Sequence, residues 1–131
     1  MSVFGVLNGL FLLSFLASAI LQWNDPDPLQ WIFIYSMAAL CSYRAIKTVT
    51  PLLTLAVLFV CIVTAARLFS TIETEGVDYS AMMNSFSMAS NSIEELREFG
   101  GLLLIAFWMT CLLVRHYFLS VSRTDSESSG A

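Results

Sequence analysis

Two short stretches hold most of the groups that could do chemistry. The first is Asn24-Asp25-Pro26-Asp27, followed by Trp31 and Tyr35, and the second is Glu94-Glu95 with Arg97 and Glu98, ahead of Gly101 and Trp108. Carboxylates in such groups serve as general bases, as cation ligands or as anchors for a hydrogen-bond donor. Asp27, Trp31 and Tyr35 recur at four-residue steps, which places them on one helical face. Tyr35 is two turns into that helix and needs a hydrogen-bond partner. Glu94, Glu98, Gly101, Ile105 and Trp108 follow steps of four, three, four and three, again a single stripe. Each stretch also has a purely structural explanation. Asp27 before Pro28 suits an N-cap followed by a first-turn proline, and Glu94 and Glu95 complement the positive end of a helix. Capping leaves Asn24 and Asp25 unexplained. It also leaves Glu98, which stands more than a turn inside its helix beside Gly100 and Gly101, where a neighbouring helix can approach.

The elements that position these groups are set by an apolar solvent. The chain has 131 residues, 57% hydrophobic and only 12% charged, and its mean hydropathy is +0.76. A soluble domain carries about a quarter charged residues. The apolar residues gather into four runs, Val3 to Gln22, Leu29 to Tyr43, Thr48 to Ala66 and Phe99 to Val114. At 1.5 Å per residue a run of about 20 residues crosses some 30 Å of hydrocarbon. The shorter second run is extended by Pro28 and by snorkelling Arg44 and Lys47. Ser92 followed by Glu95 is a capping-box pattern, which starts the last helix ahead of Phe99. These features predict an all-α, polytopic membrane protein with four transmembrane helices over residues 1–119. A disordered cytoplasmic tail, residues 120–131, completes the chain. Between the third and fourth spans, Tyr79, Met82, Met83, Phe86, Ala89 and Ile93 have helical period, predicting an interfacial helix on the outer surface.

Arg44, Lys47, Arg115 and Arg123 fall on one side of this arrangement, against Arg67 and Arg97 on the other. The positive-inside rule then puts both termini in the cytoplasm, with the protein in the cell (inner) membrane. Eight of the ten carboxylates consequently face outward: Asp25, Asp27, Glu73, Glu75, Asp78, Glu94, Glu95 and Glu98. Ala17-Ser18-Ala19 has the small residues of a cleavage site, but no Lys or Arg precedes the first span, so the reading retains it as a span rather than a signal peptide. The second and fourth helices both begin on the outer side, where their carboxylates can converge, with Arg97 or Arg67 as counter-charge.

Other residue types carry less. Cys41, Cys61 and Cys111 lie in separate spans with no CxxC and no paired histidine, so they read as small apolar packers rather than zinc ligands or disulfides. The acidic groups lack the ligand order of an EF-hand, and no metal site is assigned. His116 is the only histidine and has no evident nucleophile partner. Asn8, on a face shared with Phe15 and Gln22, reads as a helix-to-helix hydrogen bond. An acidic chain with ten carboxylates against six Lys and Arg has no basic stripe for nucleic acid. No GxSxG, HExxH or phosphate-cradling glycine loop is present.

The run Gln22-Trp23-Asn24-Asp25-Pro26-Asp27-Pro28, followed by Trp31 and Tyr35, resembles the signature of the transmembrane protein 220 family. Glu94-Glu95-x-Arg97-Glu98, with Gly101-Leu102 and Trp108, is similar to that family's acidic lead-in to its last helix. The resemblance implies a small helical membrane protein and brings no activity, substrate, cofactor or catalytic residue to transfer. It weights function toward Asn24, Asp25, Asp27, Trp31, Tyr35, Arg97 and Glu98; Trp108, on the same stripe as Glu98, completes the candidate ligand-binding set. The leading reading is a non-catalytic binding or accessory protein with an outward acidic, aromatic-lined pocket. The rival is a membrane-embedded enzyme or cation-binding carrier using the same carboxylates. Expected partners are the lipid bilayer and, on the outer face, a small ligand or a membrane protein.

Overall fold

A computed structural model describes residues 2–24, 28–75 and 91–128, with the side chains of residues 24, 71–75, 91–96 and 123–128 excepted. The described residues form four α-helices and no strand: α1 (Val3–Leu21), α2 (Pro28–Ala45), α3 (Pro51–Glu75) and α4 (Asn91–Ser128). Local chemistry sets the ends. Ser2 caps α1, its Oγ accepting the Gly5 N–H at 3.2 Å. At the other end Gln22 closes α1, its backbone N–H reaching the carbonyls of Ile20 and Ser18 as the chain passes into a 3-10 turn over Gln22–Asn24. Prolines 28 and 51 open α2 and α3, where a missing N–H costs nothing. Arg44 in the last turn of α2 donates from Nε to Thr50 Oγ1 at 2.7 Å, which ties the end of α2 to the start of α3 across the short link between them.

Helices α1 and α2 pack as one antiparallel pair and α3 and α4 as another, joined mainly through α2. The α1 face toward the interior is Asn8, Phe15, Ala19 and Gln22, the stripe on which the sequence places Asn8. From α2 come Trp31, Ile34, Tyr35, Ala38, Ala39, Cys41 and Ser42; α3 adds Thr54, Val57, Cys61 and Ala65; and α4 adds Leu102, Ile105, Trp108, Met109 and Leu112. The opposite faces carry large exposed apolar side chains, among them Leu13, Leu52, Phe59 and Phe107. A surface of that kind is a liability in water and the normal solvent contact in lipid.

Among the described residues three stretches are long and apolar enough to cross a membrane: Val3–Leu21, Pro51–Ser70 and Arg97–Ser122. Helix α2 falls outside that class by composition, because Gln30, Trp31, Tyr35, Ser36, Ser42 and Arg44 interrupt its apolar run. Trp31, Tyr35 and Ser42 are turned into the bundle, and polar groups that face other helices are tolerated where lipid-facing ones are not. Helix α4 extends beyond the expected span at both ends. It already includes Asn91 and Ser92, and it runs through Ser128, past Ser120 where the sequence leads one to expect an irregular tail. No proline or glycine intervenes between Ser120 and Ser128, and Ser120 Oγ donates back to the Tyr117 carbonyl at 2.8 Å within the helix. The apolar periodicity over residues 79–90 lies outside the described residues.

Candidate functional site

At the end of the bundle where α1 finishes and α2 and α4 begin, Ser18, Leu21 and Gln22 of the first helix and its turn face Tyr35 of α2 and Arg97 and Glu98 of α4 across an open cleft of about 370 Å³. Residues from the two sequence motifs, some sixty positions apart, thus line one space. Tyr35 is the hinge of this arrangement. Its side chain crosses from α2 to press on Gly101, where an added Cβ would collide with the phenol oxygen and lie 3.3 Å from Cζ. Gly101 is therefore a seat for a tyrosine, a close approach that only a missing side chain permits. Gly100 has open space around it, so the two adjacent glycines are not equivalent.

The remaining candidates are distributed as follows. Trp31 is only 4% exposed and sits one turn before Tyr35 on the inward face of α2, in the bundle rather than at an aromatic belt facing lipid. Arg97 is exposed and Glu98 half-buried. Asn24 ends the 3-10 turn, and Asp25 and Asp27 lie outside the described residues. Trp108 stands apart from the cleft. Its indole Nε1–H donates to Ser42 Oγ at 3.2 Å, and its ring stacks on Phe11 with centroids 4.1 Å apart at 12° and more loosely on Phe4 at 5.4 Å. The carbonyl of the same Ser42 accepts from Asn8 Nδ2 at 2.8 Å. Ser42 thereby links α1, α2 and α4 inside the apolar region, which the sequence reading missed. A serine followed by tyrosine and arginine at a helix end is unremarkable by pattern, and only the pairing across helices picks it out. Ser18 and Leu21 were likewise not anticipated, although Ser18 and Gln22 are spaced four apart and so share a helical face.

Among the described residues no group of three His, Cys, Asp or Glu is placed to hold a metal ion. Cys41, Cys61 and Cys111 are free thiols, the first two buried. What the cleft offers is a phenol, an amide, a hydroxyl, a guanidinium and a carboxylate on rigid helix ends, a set suited to recognition by hydrogen bonds and charge.

The long apolar helices, the lipid-compatible exterior and the buried interhelical polar links define a helical integral membrane protein. The chain belongs to the family described as Transmembrane family 220, helix, whose model matches residues 14–114. That interval takes in the end of α1, both motifs and the Ser42–Trp108 link. No curated protein and no solved structure matches the chain.

Proposed function

We propose that this protein is a non-catalytic binding or accessory protein of the membrane, whose outward cleft takes a small polar ligand, a lipid headgroup or a partner's loop. The observation that carries the reading is the convergence of Gln22 and Tyr35 with Arg97 and Glu98 around one cleft, with Tyr35 seated against Gly101. Chain connectivity supports including the first motif, because Asp25 follows Gln22 by three residues and a chain that short spans no more than roughly 11 Å. In this reading Asn24, Asp25 and Asp27 supply the acidic rim, Arg97 is the counter-charge, and Trp31 and Trp108 support α2 and α4 from within. Helix α2 is the fourth crossing. Arg44, Lys47 and Arg115 gather at the opposite end of the bundle, which favours both termini in the cytoplasm and the cleft outside.

The test is native mass spectrometry of the full chain released from membranes in mild detergent. A bound mass retained by the unaltered protein and lost in Glu98→Gln and Arg97→Gln supports the cleft; an identical set of adducts in all three overturns it. Position is tested separately. Cysteines at 25 and 98 should crosslink with bifunctional reagents shorter than about two helix diameters, roughly 20 Å, and a folded protein that fails to crosslink at any such length separates the two motifs.

A further inference from the structure

The end of the bundle opposite the cleft holds a larger cavity. It measures about 700 Å³ and lies between the start of α1, the link from α2 to α3, and the later part of α4. Its charged lining is of one sign: Lys47 and Arg115, beside His116, and no carboxylate among the described residues that line it. Arg115 is held in place by an aromatic ring, its guanidinium carbon 3.8 Å from the centroid of Phe4. Phe4 and Leu119 give the cavity an apolar wall.

Asn8 adds an independent observation. It lines the same cavity, six residues along α1 from Ser2 and so about 9 Å deeper, and it is only 2% exposed. Its Nδ2 is satisfied by the Ser42 carbonyl, but its Oδ1 is buried without a hydrogen-bond partner. A buried acceptor left unmatched in a low-dielectric region costs free energy, and a hydroxyl donor entering the cavity that Asn8 lines would offset that cost.

We propose that this cavity binds the headgroup of an anionic phospholipid that carries a hydroxyl donor. The phosphodiester is held by Lys47 and Arg115, a hydroxyl of the headgroup donates to Asn8 Oδ1, and the first methylenes of the acyl chains lie along Phe4 and Leu119. Basic pockets between membrane helices recognise anionic headgroups by this combination of charge and burial. The site is distinct from the cleft at the other end and does not depend on the function assigned there.

The full-length protein in neutral detergent micelles provides the test, with retained lipid counted by native mass spectrometry during titration. Phosphatidylglycerol should bind in preference to phosphatidylcholine, and Lys47→Gln or Arg115→Gln should each weaken its binding by about fivefold. Equal binding of the two lipids, or binding indifferent to both substitutions, overturns the proposal. Phosphatidylmethanol has the same charge and lacks the headgroup hydroxyl, so the unaltered protein should prefer phosphatidylglycerol over it; no preference overturns the role of Asn8 without requiring any variant to fold. Asn8→Leu should abolish that preference while leaving discrimination against phosphatidylcholine intact, and a preference that survives it also counts against Asn8. Water-soluble glycerol phosphate is the final arm. Competition with the lipid at comparable concentrations would show a soluble phosphate site and overturn the lipid assignment.

Discussion

The two ends of the bundle solve helix approach in opposite ways. At one end α2 and α4 meet closely where Tyr35 uses the space that Gly101 leaves, and the cleft beside them is the smaller one and carries both signs of charge. At the other end the start of α1, the link from α2 to α3 and the later part of α4 line a cavity nearly twice as large whose charges are all basic. The difference teaches that one missing side chain lets a neighbouring helix seat a phenol at one end, while the basic groups at the other end border open space. Lipid tails supply no hydrophobic push between helices, so approach is decided by local fit and by buried hydrogen bonds.

The comparison is broken most directly by filling the seat. Gly101→Ala places a methyl against the Tyr35 hydroxyl and should destabilise the fold by about 1–3 kcal/mol, measured by denaturant titration in mixed micelles. Tyr35→Phe removes the colliding oxygen and should recover part of that loss, so the pair should be non-additive. Additive losses would mean that the contact does not set the spacing.

A smaller effect separates the two ends from the middle. Trp108→Phe keeps the stack on Phe11 and deletes the bond to Ser42, and Ser42→Ala deletes the same bond from the other side. Each should cost about 0.6 kcal/mol, the average for an interhelical hydrogen bond in lipid, and the double variant should cost little more than either one. Arg97→Gln with Glu98→Gln comes next. If these groups act together at the cleft, a double-mutant cycle should show a coupling of about 0.5 kcal/mol; zero coupling would mean that the two act independently. Leu13→Ala, on the exposed face of α1, should change stability by less than about 0.5 kcal/mol and provides the baseline.

Much of this organisation is legible in the sequence, and the physical reasons differ by region. The apolar runs predict α1, α3 and α4 because a helix surrounded by lipid must be apolar over its whole length. The inward stripe of Asn8, Phe15 and Gln22 is readable because a polar residue in such a run must face protein. The convergence of Tyr35 with Arg97 and Glu98 follows from α2 and α4 starting at the same end. The particulars of contact are not readable in the same way. Of the two adjacent glycines, the stripe of Glu98, Ile105 and Trp108 picks out Gly101, but that a tyrosine fills it is seen only in the contact itself. Trp108 shares the Glu98 stripe, yet it is drawn to Ser42 because its indole N–H needs a buried acceptor. The continuation of α4 through Ser128 also escapes a reading based on composition, since polar residues without Pro or Gly are compatible with either helix or coil.

Ser42 has a consequence for the order in which the protein is made. Its backbone carbonyl meets α1 and its hydroxyl meets α4, so a single position serves an early partner and a late one. Domains mature from the N-terminus during synthesis, at about 5–20 residues per second. The α1–α2 hairpin can close its Asn8 bond as soon as both helices have formed, whereas Trp108 emerges 66 residues after Ser42, several seconds later at that pace. During that interval the hydroxyl is an unfilled latch. When α4 docks, its indole N–H reaches that hydroxyl, and one residue then holds both the first helix and the last.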